Sequence, residues 1–300
     1  MSALLNGAAW INGEILPISE AKIGVTDWGL THSDITYDVV SVWDGAFFRL
    51  EDHLDRFQQS LQKTRLAPPQ SRDDIRQILH EMVRASGLHR AYCAFVASRG
   101  TPSIPGSRDP RHCANHFYAW VVPYVHVIPK EVVARGARLK IATVSRRIAP
   151  DSVDPTAKNY HWGDMTAAIF EAVDDGYDTV VLADHNGNMT EGPGFNLFAV
   201  IDGCVVTPKT GVLMGITRKT VLEICAAQGI CCDVRDLPVA EFLRADEVFV
   251  TSSGGGALPI TRVNQTILNN DACGPLTSII RQSYFDWRSD PKYQSLIDYD

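Results

Sequence analysis

Three hundred residues, 33.1 kDa in all, leave room for one large domain or two ordinary ones with a real core. Hydrophobic residues make up 45% and charged residues 21%, a globular composition that excludes disordered chains, collagen and coiled-coil arrays. A net charge of −7 and a pI near 5.7 argue against a nucleic-acid binder, and no apolar stretch reaches the ~18 residues a membrane span needs.

The N-terminus, MSALLNGAAWINGEIL, has neither a basic region nor a long apolar run, so no secretory signal is expected and a cytoplasmic location is. The seven cysteines are Cys93, Cys113, Cys204, Cys225, Cys231, Cys232 and Cys273. An odd, scattered set without a C-x-x-C pair disfavours a disulfide framework or a zinc site, and reduced thiols are the expectation. Cys231 and Cys232 should simply pack.

Along the chain the first element is a hairpin: Trp10-Ile11 and Glu14-Ile15 flank the turn pair Asn12-Gly13. Asp44-Gly45, between Val42-Trp43 and Ala46-Phe47, predicts a second. Leu54, Phe57 and Leu61 mark a short helix. Ile75, Ile78, Leu79, Met82 and Val83 mark a longer one, with caps at Ser71, Asp73 and Asp74 and a stop at Gly87. Residues 99–111 hold three prolines and two glycines and read as a long loop, a class of segment that tends to be functional or mobile. The chain changes character at Pro123–Pro129, which places a smaller domain at 1–123, a linker at 124–131 and a larger domain at 132–300. In the larger one, Met165, Ala168, Ile169, Ala172 and Val173 predict a helix between Asp164 and Gly176. Asp202-Gly203 predicts a third hairpin. Val221, Ile224 and Cys225 predict a helix that ends at Gly229, and Glu247–Ser253 reads as a strand. This alternation is mixed α/β, and the three hairpins exclude a purely parallel doubly wound sheet.

Phosphate-loop, nucleophile-elbow and H-E-x-x-H signatures are absent, and Gly254-Gly255-Gly256 lacks the dinucleotide pattern. Several other segments could carry chemistry. On pattern alone His32–Asp38 reads as a surface turn before a strand. Arg56 sits at the edge of the Leu54/Phe57/Leu61 stripe, where an exposed ion pair is the ordinary outcome and a phosphate-gripping fork the alternative. Lys158 is one of eight lysines and lies in a proline- and aromatic-rich run before a helix. Burial there would disfavour its ammonium form and free a nucleophilic amine, but chemistry alone does not select it over Lys22 or Lys219. Glu191, among glycines in TEGPGFN, is either a plain exposed turn residue or a carboxylate close to something flat. Gly211–Arg218 runs into a helix whose first amides form a ready anion site, as at any helix start.

Together HSDITYDVVSVWDG, EDHLDRF, KNYHWGD, TEGPGFN and GVLMGITRK resemble the class IV, fold-type IV aminotransferases that use pyridoxal 5′-phosphate, most of all the (R)-selective amine transaminases. The resemblance runs from Ile11 to Tyr299. It implies a smaller N-terminal α/β domain, a larger C-terminal pseudo-barrel domain carrying the cofactor lysine, and a homodimer in which the 99–111 loop reaches the partner's site. It further implies that Lys158 carries the cofactor and moves the proton, and that Glu191 holds the pyridine nitrogen. Arg56, Ile216, Thr217 and Ser253 would bind the phosphate, and His32, Tyr37 and Trp162 would line the substrate pocket. The implied reaction is a ping-pong transfer of an amino group between an amine or amino acid and a 2-keto acid, with no metal. Within the family an (R)-selective amine:pyruvate activity is the first reading. A branched-chain or D-amino-acid aminotransferase and an aminodeoxychorismate-lyase-like enzyme are the alternatives. Two positions depart from the amine transaminase pattern: Pro105 where a loop arginine grips a carboxylate, and Ala94 where a glutamate is usual. Arg99, Arg108 or Arg111 could replace that loop arginine if the loop folds differently.

Overall fold

A computed structural model describes residues 4–300. Chain contacts divide it into two compact units. The first holds the residues up to Val125 together with Ala157–Tyr160 and Asp290–Asp300, and the second holds His126–Thr156 and His161–Ser289.

The first unit is built on an antiparallel sheet. Its strands are β1 (Ala8–Ile11), β2 (Glu14–Pro17), β3 (Ile35–Trp43), β4 (Ala46–Phe48), β5 (Ala91–Ser98) and β6 (His116–Pro123). Its helices are α1 (Trp28–Thr31), α2 (Leu50–Thr64) and α3 (Arg72–Ser86). The expected hairpins form, with Asn12-Gly13 and Asp44-Gly45 in the left-handed region that a twist-matched two-residue turn requires. The α3 helix starts at a reciprocal Ser71/Asp74 capping box and ends at left-handed Gly87. Period-two alternation gives the sheet two distinct faces. Val40, Val42, Cys93, Phe95, Phe117 and Ala119 pack under α2 and α3 through Leu54, Phe57, Leu79 and Met82. The other face is aromatic: Tyr37, Tyr92, Tyr118 and Trp120 surround Val39, Ala94 and Val96.

The second unit begins with α4 (Lys130–Arg135), β7 (Ala137–Ile141), α5 (Gly163–Asp174), β8 (Thr179–Val181), β9 (Glu191–Gly192) and β10 (Phe195–Ile201). It continues through β11 (Cys204–Pro208), α6 (Ile216–Gln228), β12 (Cys232–Arg235), α7 (Val239–Phe242), β13 (Glu247–Ser252), β14 (Gly256–Val263), β15 (Thr266–Ile267) and α8 (Pro275–Arg288). Its sheet runs β12-β11-β10-β13-β14-β7-β8. Hydrogen bonds between Leu182 and both Thr190 and Glu191 join the end of β8 to β9, and β9 pairs with β10, so the path closes on itself as a pseudo-barrel. Along β10, Leu197, Ala199 and Ile201 face the interior of that path, while Phe198 and Val200 face α6 and α8.

Two segments depart from the expected domain limits. The 157–160 segment belongs to the first unit because Thr36 and Tyr37 hydrogen-bond the Lys158 carbonyl and Thr36 bridges to Asn159. The C-terminus joins it because β16 (Gln294–Leu296) pairs with β4 at the sheet edge. The cysteines also differ from expectation: Cys204 and Cys231 form a disulfide, and the other five are thiols. The parallel pairing of β11 with β12 brings Cys204 and Cys231 together across 27 residues, which spacing along the chain did not indicate. Among the described residues no helix is long and apolar enough to cross a membrane.

Candidate active site

In the first unit, Lys158 lies half-buried with its Nζ 4.5 Å from the centroid of the Tyr37 ring, which packs against Tyr160 at 4.4 Å. Its backbone is fixed independently of the side chain: the carbonyl accepts from Tyr37 N–H at 3.1 Å and Thr36 Oγ1 at 2.8 Å, and its N–H donates to Ser60 Oγ at 3.3 Å. Ser60 is one turn beyond Arg56 on α2, so Lys158, Tyr37 and Arg56 share one neighbourhood. Burial raises the pKa of Tyr92, Tyr118 and Tyr160, so these phenols stay neutral.

Arg56 is not an exposed surface arginine. It is 8% exposed and donates from Nε and Nη2 to the two oxygens of Asp38, at 2.8 and 2.7 Å. Asp38 is wholly buried, in a segment that read locally as a surface turn, and His53 Nδ1 lies 2.7 Å from its Oδ1. Burial pushes the Asp38 carboxyl upward, but Arg56 and His53 outweigh it and hold the pKa well below the usual carboxylate range. Burial lowers the His53 pKa against the pull of Asp38, so the ring is neutral and donates through Nδ1–H.

A pH dependence follows. Below pH ~6.5 the unfolded chain protonates its histidine while buried His53 resists, so stability falls as pH drops toward the lower folded pKa. The slope should reach at most about 1.4 kcal/mol per pH unit for this one group. Asp38 adds loss of the same sign only below its unfolded pKa of about 4. Melting curves between pH 8 and 5 should show the decline begin near 6.5, and His53→Asn, which keeps an N–H donor, should flatten it. An equal slope in both proteins would remove His53 as the cause.

In the second unit, Glu191 is 5% exposed rather than an open turn residue. Its Oε1 accepts from Arg147 Nη2 at 3.2 Å, and its Oε2 from Leu213 N–H at 2.9 Å and Asn196 Nδ2 at 3.3 Å. Arg147 is in turn held by Asp164 at 2.6 Å. Ile216 and Thr217 open α6 after Gly215, which offers no capping side chain. A Cβ at Gly215 would lie 2.1 Å from Asn196 Oδ1, so glycine keeps the helix entry and the Glu191 cluster in register. Ser253 is half-buried in the turn between β13 and β14, and Trp162 is the N-cap of α5, packed beside Met165. His32 is exposed in the first unit, stacked on Trp28 at 4.5 Å, with Thr31 Oγ1 2.8 Å from its Nδ1.

The loop arginines are largely spent. Arg99 binds Asp34 through Nε and Nη2 and the carbonyls of Arg65 and Thr64 through Nη1 and Nη2. Arg111 pairs with Asp109 two residues away, and Arg108 is exposed. Asp38, His53, Arg147 and Asn196 are the residues that the sequence left without a role. Asp38, His53 and Asn196 lie inside the family-like motifs, so their position was visible although their partners were not.

The first unit holds a lysine amine and a buried arginine, and the second a buried glutamate paired with Arg147 and an uncapped helix start with a Cβ-intolerant glycine; these residue types suit pyridoxal phosphate. Residues 36–263 match the amino-transferase class IV family. The chain is 27% identical to a putative branched-chain-amino-acid aminotransferase of Methanocaldococcus jannaschii, over 93% of this chain and 96% of that one. It is 27% identical to the branched-chain-amino-acid aminotransferase of Pseudomonas aeruginosa, over 94% and 92%. Among solved structures, the T.th. branched-chain amino acid aminotransferase with pyridoxamine 5′-phosphate superposes with a TM-score of 0.90 at 25% identity, over 98% of this chain and 99% of that one. The enzyme of Thermoproteus uzoniensis with norvaline gives 0.87 at 26%, over 97% and 99%. The chain therefore belongs to the class IV aminotransferases and is a pyridoxal-phosphate-dependent enzyme of fold type IV.

Proposed function

We propose that the enzyme exchanges an amino group between a branched-chain amino acid and a 2-keto acid. The observation that carries this is the aromatic face beside Lys158: Tyr37, Tyr92, Tyr118, Trp120 and Tyr160, with the adjacent Arg99 already bound to Asp34. Such a surface favours an apolar side chain, and Arg99 is not left to grip a carboxylate. The named relatives point the same way.

Bound pyridoxal phosphate supplies an electron-poor ring that accepts the electron pair released when the substrate Cα–H bond breaks. Lys158 would hold the cofactor through Nζ, and its amine would take up and hand back the substrate's Cα proton. Glu191 would keep the pyridine nitrogen protonated, and Arg147 holds Glu191 in place through its ion pair. Arg56, its plane fixed by Asp38, would bind the phosphate, as would the amides of Ile216 and Thr217 and Ser253 on the family's pattern. By the family resemblance His32, Tyr37 and Trp162 would line the substrate pocket.

A second reading, an (R)-selective amine:pyruvate transaminase, draws support from the quoted motifs and from the spent Arg99. A site with no dedicated carboxylate-binding arginine suits a substrate that has no carboxylate. One panel separates the two: L-leucine, L-valine, D-alanine and (R)- and (S)-1-phenylethylamine, each with 2-oxoglutarate and with pyruvate. Leucine should give the highest kcat/KM among the donors. (R)-1-Phenylethylamine with pyruvate as the best pair would install the second reading, and release of pyruvate from an aminodeoxychorismate without amino transfer would favour a lyase.

Homodimerisation is part of the proposal. Ile169, Phe170 and Val173 on α5, with Val144, form an exposed apolar cluster suited to a second copy, and the 99–111 loop is the candidate crossing segment.

A further inference from the structure

We infer that Cys204 and Cys231 form a reversible thiol–disulfide site that closes the β11–α6–β12 crossover and sets how firmly the first turn of α6 holds a phosphate. The last clause rests on the function proposed above.

The argument begins with connectivity. The two sulfurs are bonded, with Cα atoms 4.8 Å apart, within the ordinary disulfide range. Cys204 opens β11 and Cys231 immediately precedes β12, which is parallel to β11 and lies at the edge of the sheet. The 27-residue separation spans Leu213, which binds Glu191, then Gly215, Ile216 and Thr217, then all of α6. The bond therefore encloses the α6 part of the proposed phosphate cradle, Gly215, Ile216 and Thr217, in one covalent loop. Apart from it, β12 is held by a four-pair parallel ladder with β11 on one side only, and Asp233 and Val234 are exposed. On the β11 side, α6 is latched by Arg218, which donates to Thr207 Oγ1 and the Pro208 carbonyl.

Access permits exchange. Cys231 is exposed and Cys204 half-buried, whereas Cys225 is buried and hydrogen-bonds Cys232. The Cys231 thiolate attacks a low-molecular-weight disulfide, forming a mixed disulfide and releasing one thiol. The Cys204 thiolate then attacks the Cys231 sulfur, closing the protein bond and releasing the second thiol. Two protein thiols lose two electrons and two protons, and one external disulfide becomes two thiols. Cross-linking removes chain entropy from the unfolded state and from local opening of the crossover.

The test uses the whole protein equilibrated with oxidised glutathione or with dithiothreitol. Alkylation and peptide mapping should show Cys204 and Cys231, and no other pair, protected in the oxidised sample. The oxidised form should melt about 5 °C higher. Apoenzyme should release added pyridoxal phosphate at least about threefold more readily when reduced. C204S and C231S should behave as the reduced form in either buffer. Equal labelling, or a melting point blind to reductant, overturns the site. A redox-dependent melting point with unchanged cofactor affinity overturns the coupling to α6. A protein that binds no pyridoxal phosphate in either state refutes the proposed function instead, because labelling and melting judge the thiol site separately.

Discussion

Lys158→Ala should yield a folded protein that binds pyridoxal phosphate only noncovalently and turns over at least ~10³-fold more slowly, the range lost with a group that both gives and takes the reacting proton. Folding should survive because the segment is anchored through its backbone, by Thr36, Tyr37 and Ser60, and alanine keeps all of those bonds. The Nζ sits on the Tyr37 ring, so truncation removes one cation–π contact and little packing. Absorbance of the lysine-linked cofactor and a borohydride-fixed mass increase on the peptide holding residue 158 should both vanish. Near-wild-type turnover in Lys158→Ala would overturn the assignment and reopen the choice among the remaining lysines.

Local signals explain which parts of this protein were readable in advance. Asn12-Gly13, Asp44-Gly45 and Asp202-Gly203 announce hairpins because two residues suffice to set a left-handed turn. Ser71, Asp74 and Gly87 announce α3 because its caps are satisfied within one turn of chain. Long-range partners carry no such trace. Asp38 read as surface because a carboxylate is buried only against a matched cation, and Arg56 lies 18 residues on, on a helix. The same holds for Glu191 and Arg147, 44 residues apart, and for β16 returning to β4. Arg99 shows the converse case. A loop arginine suggested a substrate contact, and only its bonds to Asp34, Thr64 and Arg65 reveal a structural bracket. The family was legible through motifs, whereas the buried partners of Arg56 and Glu191 required the fold.

Asp38→Ala should be the most destabilising single change in the first unit, at roughly 3–5 kcal/mol, the cost of leaving one half of a buried ion pair without its partner. The charge left behind is Arg56, 8% exposed, and His53 would also lose the acceptor of its Nδ1–H. Asp38→Asn keeps part of the hydrogen bonding but not the charge and should fall between alanine and wild type. Denaturant unfolding would measure the order. A paired replacement separates stability from function: Asp38→Leu with Arg56→Met removes both charges into an apolar setting and should recover much of the lost stability. It should not recover cofactor retention, because no guanidinium remains to meet the phosphate. If the double variant regained both, Arg56 would be a packing residue, and the phosphate would have to be held by the α6 entry and Ser253 alone. If it regained neither, the loss would lie in the shape of the cavity around Asp38 rather than in its charge, and His53 would be the next position to change.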